Sequence, residues 1–182
     1  MMKKNKFIFT VITIIVCIVP VIAGALLYDR LPNEMAIHFN MNNQPNNYAS
    51  KDFVLFGIPI MMTVFQLIMC SINWFAKKKM EKEPKIFVIV ETIIPVITIV
   101  LYYLTVSYSL DNSINIGKSV CLMLGILFCV LGNYFPKMSY ESNKEFIHPK
   151  PKNEKSFRKM VKISGYSTIG MGIIFLIIMF FI

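Results

Sequence analysis

Five apolar stretches, each near the length a helix needs to cross a bilayer, constrain this chain more than any other feature. They run from Phe7 to Tyr28, Phe53 to Ala76, Ile86 to Tyr108, Ser119 to Phe135 and Ile163 to Ile182, and the short fourth stretch extends toward Ile114. In hydrocarbon every backbone N–H and C=O needs a partner within the protein, so only helices and closed barrels span it. Composition agrees: 55% of the 182 residues are hydrophobic, 16% are charged, and the mean hydropathy is +0.59. The expected fold is all-α: a polytopic membrane helical bundle with five transmembrane helices, making a single membrane domain over residues 1–182. Pro20, Pro59 and Pro95 fall inside spans, where kinks are expected rather than breaks.

The basic residues set an orientation. Lys3, Lys4 and Lys6, then Lys77, Lys78, Lys79, Lys82 and Lys85, then eight between Lys137 and Lys162 fall on one side of an alternating topology. Only Arg30, Lys51 and Lys118 fall on the other. The positive-inside rule therefore puts the amino terminus and the basic 136–162 loop in the cytosol and the carboxyl terminus outside. The net charge of +9 reads as topology, with no nucleic-acid partner. Abundant Lys, Ile, Asn and Met suit an AT-rich genome, so a bacterial cell membrane is the expected location. A rival reading treats the start as a signal peptide, because Ala23-Gly24-Ala25 resembles a cleavage site that would leave Leu26 first.

The outer loop, residues 29–52, is rich in Pro and Asn, whose side chains favour turns, and it should be compact. Met35, Ile37, Phe39 and Tyr48 give it an apolar side that folds down onto the membrane surface or the helix mouths. Two roles stand side by side: a recognition surface, or a structural lid. His38 has no second His or Cys nearby, so a loop-fixing hydrogen bond is expected of it rather than metal ligation. His148 in the inner loop has less support still. Neither a metal nor a cofactor is expected. Cys17, Cys70, Cys121 and Cys129 lie in apolar runs and read as packing residues.

Within the spans, Gln66, Asn73 and Glu91 need an account, because polar and ionisable groups in lipid face protein or water. Asn73, Glu91 and Asn133 share a cytosolic depth and form a candidate polar cluster. It is either a proton or ligand site, or a carboxylate that snorkels toward Lys85 or bonds Asn73. Gly117, Cys121, Gly125 and Cys129 recur every four residues, as do Ser164, Thr168 and Gly172. Small residues so spaced predict close packing of the fourth and fifth helices. The sequence contains no nucleophile–base constellation, phosphate-binding glycine loop or zinc-protease signature, so an enzyme is not expected.

At this level of detail the chain resembles the Sdp-type (sporulation-delaying-protein) immunity family of Gram-positive bacteria, which carries an outer-loop domain of the DUF1648 type. The outer loop carries the resemblance first, through Leu31-Pro32, His38-Phe39-Asn40, Asn43, Pro45, Tyr48 and Lys51. A second motif is Gly132-Asn133-Tyr134 with Pro136-Lys137 and Asn143, and a third is Asn153-Glu154 with Phe157-Arg158-Lys159 leading to Gly165. Asn115-Ile116-Gly117 is a minor match. Asn43 and Asn46 stand where the family usually has Gly and Asp, and Phe157 stands where Trp is expected. Met160-Val161 replaces Thr-His, a stretch after Asn143 is shortened to Phe146-Ile147-His148-Pro149, and a sixth helix is missing. The resemblance implies non-catalytic protection against a secreted toxic peptide. Its implied partners are that peptide or its membrane target, and the lipid bilayer. Two other readings remain: a sensor whose basic inner loop captures a cytosolic regulator, and a small transporter subunit using Glu91.

Overall fold

A computed structural model describes residues 2–40, 42–78, 86–111, 113–144, 147 and 150–182. The elements in order are α1 (Met2–Leu27), a 3-10 turn (Tyr28–Arg30), β1 (Glu34–Phe39), β2 (Pro45–Ser50), a π-helical turn (Phe53–Gly57), α2 (Ile58–Lys78), α3 (Ile86–Leu110), α4 (Ile116–Tyr134), a 3-10 turn (Phe135–Lys137), α5 (Tyr140–Asn143) and α6 (Glu154–Ile178). Among the described residues five helical segments, Phe7–Arg30, Phe53–Lys77, Phe87–Leu110, Ile116–Lys137 and Glu154–Ile178, are long and apolar enough to span a membrane. At most 28% of the apolar core of any of them is buried within the protein. Side chains such as Phe7, Ile22, Leu26 and Ile174 are more than half exposed, a surface that lipid covers and water would not tolerate. This is a multi-pass, helical membrane protein.

The chain forms two compact units, Met1–Phe75 with Val88–Ile116, and Ala76–Phe87 with Gly117–Ile182. In the first, the 29–52 loop forms a β-hairpin rather than the turn-rich loop expected. β1 and β2 run antiparallel, pairing Glu34 with Ser50, Met35 with Ala49 and Ala36 with Tyr48, and the register shifts near Ile37 before His38 meets Asn47. The hairpin docks through Met35, fully buried with Leu31, Val54, Leu55 and Val106. Burying one such side chain contributes about 1.5–3 kcal/mol, enough to hold a short hairpin that would not be stable alone. Ala23-Gly24-Ala25 lies inside α1, and Gly24 faces Tyr102 and Leu55 so closely that an added Cβ would sit 2.6 Å from the Tyr102 hydroxyl. Pro20 and Pro95 lie within α1 and α3. Pro59 likewise lies inside its span, Phe53–Lys77, and the irregularity expected of it appears just before it as the π-helical turn, with no break in the helical run.

In the second unit α6 begins at Glu154, well before the expected Ile163, so part of the 136–162 loop is helical. Asn153 caps it, its side chain accepting from the Ser156 N–H at 2.9 Å. Phe157, Val161 and Gly165 recur on one buried face, and that amphipathic stripe extends the helix through a charged stretch. The helix ends at Ile178 rather than running to Ile182. The α4–α6 seam uses Gly125, Cys129 and Gly172 as expected: a Cβ on Gly172 would lie 2.7 Å from Cys129 Sγ and 2.8 Å from the Gly125 carbonyl. It also uses Gly132 against Gly165, where a Cβ on either would lie 2.7 Å from the other's carbonyl oxygen. Ser164 is exposed and Thr168 donates to the Ser164 carbonyl of its own helix, so of the stripe predicted on this helix Gly172 stays in the seam while Gly165 and Ile169, one residue on, replace Ser164 and Thr168.

Candidate functional site

The hairpin turn is shaped by its asparagines. Asn40 Oδ1 accepts from the N–H groups of Asn42 at 3.0 Å and Gln44 at 2.9 Å. Asn43 adopts φ 58°, the left-handed region that favours Gly but that Asn tolerates. Its side chain then reaches out of the hairpin, donating to the Ile114 carbonyl at 3.2 Å and accepting from the Ile116 N–H at 2.8 Å. Ile116 opens α4, so Asn43 satisfies one of the orphan donors of that helix end. Next to the turn, His38 Nδ1–H donates to Asn46 Oδ1 at 2.6 Å, and Phe39 meets Tyr108 edge-on with ring centroids 4.7 Å apart.

At the base of the hairpin, Lys51 Nζ donates to the carbonyls of Tyr28 at 3.1 Å and Leu31 at 3.3 Å, and it sits 4.1 Å from the centroid of the Tyr28 ring. The Tyr28 hydroxyl in turn donates to Asp52 at 2.7 Å. The ammonium thus binds carbonyls at the two ends of the 3-10 turn that follows α1, the Tyr28 carbonyl also accepting from the Leu31 N–H at 3.4 Å.

These contacts sort the residues of the 29–52 loop singled out in the sequence. Leu31, His38, Phe39, Asn40, Asn43 and Lys51 hold the hairpin's shape. Pro32, Pro45 and Tyr48 line a cleft of about 210 Å³ between the hairpin and the end of α3. Glu34, Ala36, Tyr108 and Ser109 complete its wall, and sequence reasoning missed them as site residues. Glu34 and Ala36 point the same way on β1, and Tyr48 pairs with Ala36, which explains their shared face. No local signal brings Tyr108 and Ser109 there, because that approach is tertiary.

Deeper in the same unit lies a buried polar network. Asn73 donates to Glu91 Oε1 and the Thr10 hydroxyl to Glu91 Oε2, both at 3.1 Å. Gln66, fully buried, donates through Nε2 to the Thr13 hydroxyl and to the Glu91 carbonyl, both at 2.9 Å. Three helices, α1, α2 and α3, are joined by it. Asn133, expected beside them, belongs to the second unit and is exposed there. Thr10 and Thr13 take the places that had been expected of it, and span threonines give no warning because they ordinarily bond their own helix.

In the second unit the motif residues surround the α4–α6 crossing. Gly165 faces both Gly132 and Pro136. Phe157 is fully buried with Met138 and Val161, and stacks edge-on with Tyr140 at 5.4 Å. Asn143 is buried and donates to the Ser139 carbonyl at 2.7 Å, while Glu154 accepts from Arg158 at 3.3 Å. Lys137 is exposed. His148 lies outside the described residues, as do Lys79, Lys82 and Lys85.

Residues 15–63 match the family described as "Domain of unknown function (DUF1648)". The match runs from α1 through the hairpin into α2. The chain is 26% identical over 132 residues, 72% of its length, to the immunity protein SdpI of Bacillus subtilis (strain 168). It spans 59% of that relative's length. No solved structure matches.

Proposed function

We propose that this chain is an integral membrane immunity protein, protecting the cell that makes it from a secreted toxic peptide without catalysis. Its hairpin end faces outward in this reading, where the peptide or its membrane target is met, and its basic loops lie in the cytosol. The observation that carries the proposal is the correspondence between the DUF1648 match, residues 15–63, and the braced hairpin with the helices that hold it. The similarity to an immunity protein over most of the chain supports the same reading. A hairpin held by main-chain contacts, with a small open cleft, suits binding and offers no nucleophile–base pair for turnover. The test is deletion of the gene followed by challenge with the medium of producing cells. Deleted cells should die and cells given the chain back should survive; equal killing of all three sinks the proposal.

A further inference from the structure

We infer that the cleft between the hairpin and the end of α3 receives one basic side chain, lysine or arginine, of the peptide that meets this face. That the occupant is a peptide rests on the immunity reading. That it is cationic rests on the walls.

The cleft holds about 210 Å³, below the ~300–1,000 Å³ of sites that engulf whole small molecules. One long side chain is the occupant that matches that scale. The wall carries a single charged side chain, Glu34, which is exposed and forms no ion pair among the described residues. Lys51, the basic residue just after β2, is turned to the hairpin base, over the Tyr28 ring and onto two carbonyls. Two tyrosines, Tyr48 and Tyr108, face the same space, and Tyr108 is steadied by Phe39. A carboxylate beside phenol rings attracts an ammonium or guanidinium through charge and through the ring quadrupole. Pro32, Pro45 and Ala36 supply apolar surface for the methylene stem, the part of such a side chain that prefers to leave water. The hairpin base already shows the chemistry in miniature, with Lys51 Nζ 4.1 Å from an aromatic centroid and its remaining donors on oxygen.

The test uses the full chain in lipid nanodiscs with 13C-labelled tyrosine rings, the Tyr48 and Tyr108 signals being assigned by Tyr48→Phe and Tyr108→Phe. The probes are Nα-acetyl-lysine methylamide, its arginine counterpart, and the uncharged norleucine methylamide. Both basic probes should shift the two signals saturably, norleucine should not, and Glu34→Gln should weaken the basic probes about threefold or more. Equal shifts from norleucine, or unchanged lysine affinity in Glu34→Gln, would overturn the inference. The killing assay separates it from the broader reading: protection without lysine binding removes the cleft assignment alone. Lysine binding without protection removes immunity and leaves a cation-selective cleft.

Discussion

The amide of Asn43 spans 73 residues of sequence to take the backbone N–H of Ile116 at 2.8 Å, joining the tip of the hairpin to the first residue of α4. The same residue holds a left-handed backbone, so one side chain serves both the turn and the tether. These roles separate on substitution. Asn43→Gly keeps the backbone conformation and loses two hydrogen bonds, at about 1–2 kcal/mol. Asn43→Ala adds the left-handed penalty of about 1–2 kcal/mol. Hydrogen exchange of the hairpin amides should therefore rise in the order wild type, Gly, Ala. Equal protection in all three would show that the tether contributes nothing.

Glu91 is predicted to be structural. Glu91→Leu strands the donors of Asn73 and Thr10 in a buried site, at about 1–3 kcal/mol each, and should reduce the folded yield from membranes sharply. Glu91→Gln keeps one acceptor, and the Thr10 hydroxyl can turn to accept the new amide, so folding and protection should both persist. If Glu91→Gln folded normally yet failed to protect, the transport reading would return.

The glycines of the second unit supply a matched pair. Gly132→Ala places its methyl 2.7 Å from a backbone oxygen and from a backbone nitrogen of α6, neither of which can move alone. It should cost about 1–3 kcal/mol. Gly170→Ala meets nothing within 4 Å and should be neutral or stabilise the helix by up to about 1 kcal/mol. Thermal melts in detergent compare them directly, and equal melting temperatures would refute the seam.

Topology can be checked with single cysteines in a background lacking the four native ones. An impermeant maleimide should label Asn47→Cys in intact cells and Lys155→Cys only after permeabilisation. The opposite pattern would invert the protein in the membrane and remove the proposed meeting place with an external peptide.

What the sequence revealed depended on how local the governing physics is. Lipid-length apolar runs are a local property, and all five spans appear with their ends shifted by a few residues, apart from the fifth. There Glu154 to Lys162 look like loop by charge, and only the buried stripe of Phe157, Val161 and Gly165 makes them helix. The hairpin was hidden because Asn46 and Asn47 are poor strand formers and its order comes from Met35 in the core. Asn73 and Glu91 were paired correctly by depth along the helices, but depth says nothing about facing, which is why Asn133 was included and Thr10 was not. In the seam, spacing of four found Gly125 and Gly172, while Gly132 and Gly165 entered only as motif residues whose packing role is now visible.

Both anchors of the hairpin, Asn43 and Lys51, grip main-chain atoms: the carbonyls of Ile114, Tyr28 and Leu31 and the N–H of Ile116. Every amino acid supplies a carbonyl, and only proline at 116 would withdraw the donor. These hydrogen bonds thus place no demand on the side chains at the partner positions, which packing decides instead: the Tyr28 ring under the Lys51 ammonium and Leu31 in the core around Met35. A hairpin mounted this way can change its exposed side chains while the main-chain bonds that carry it stay in place.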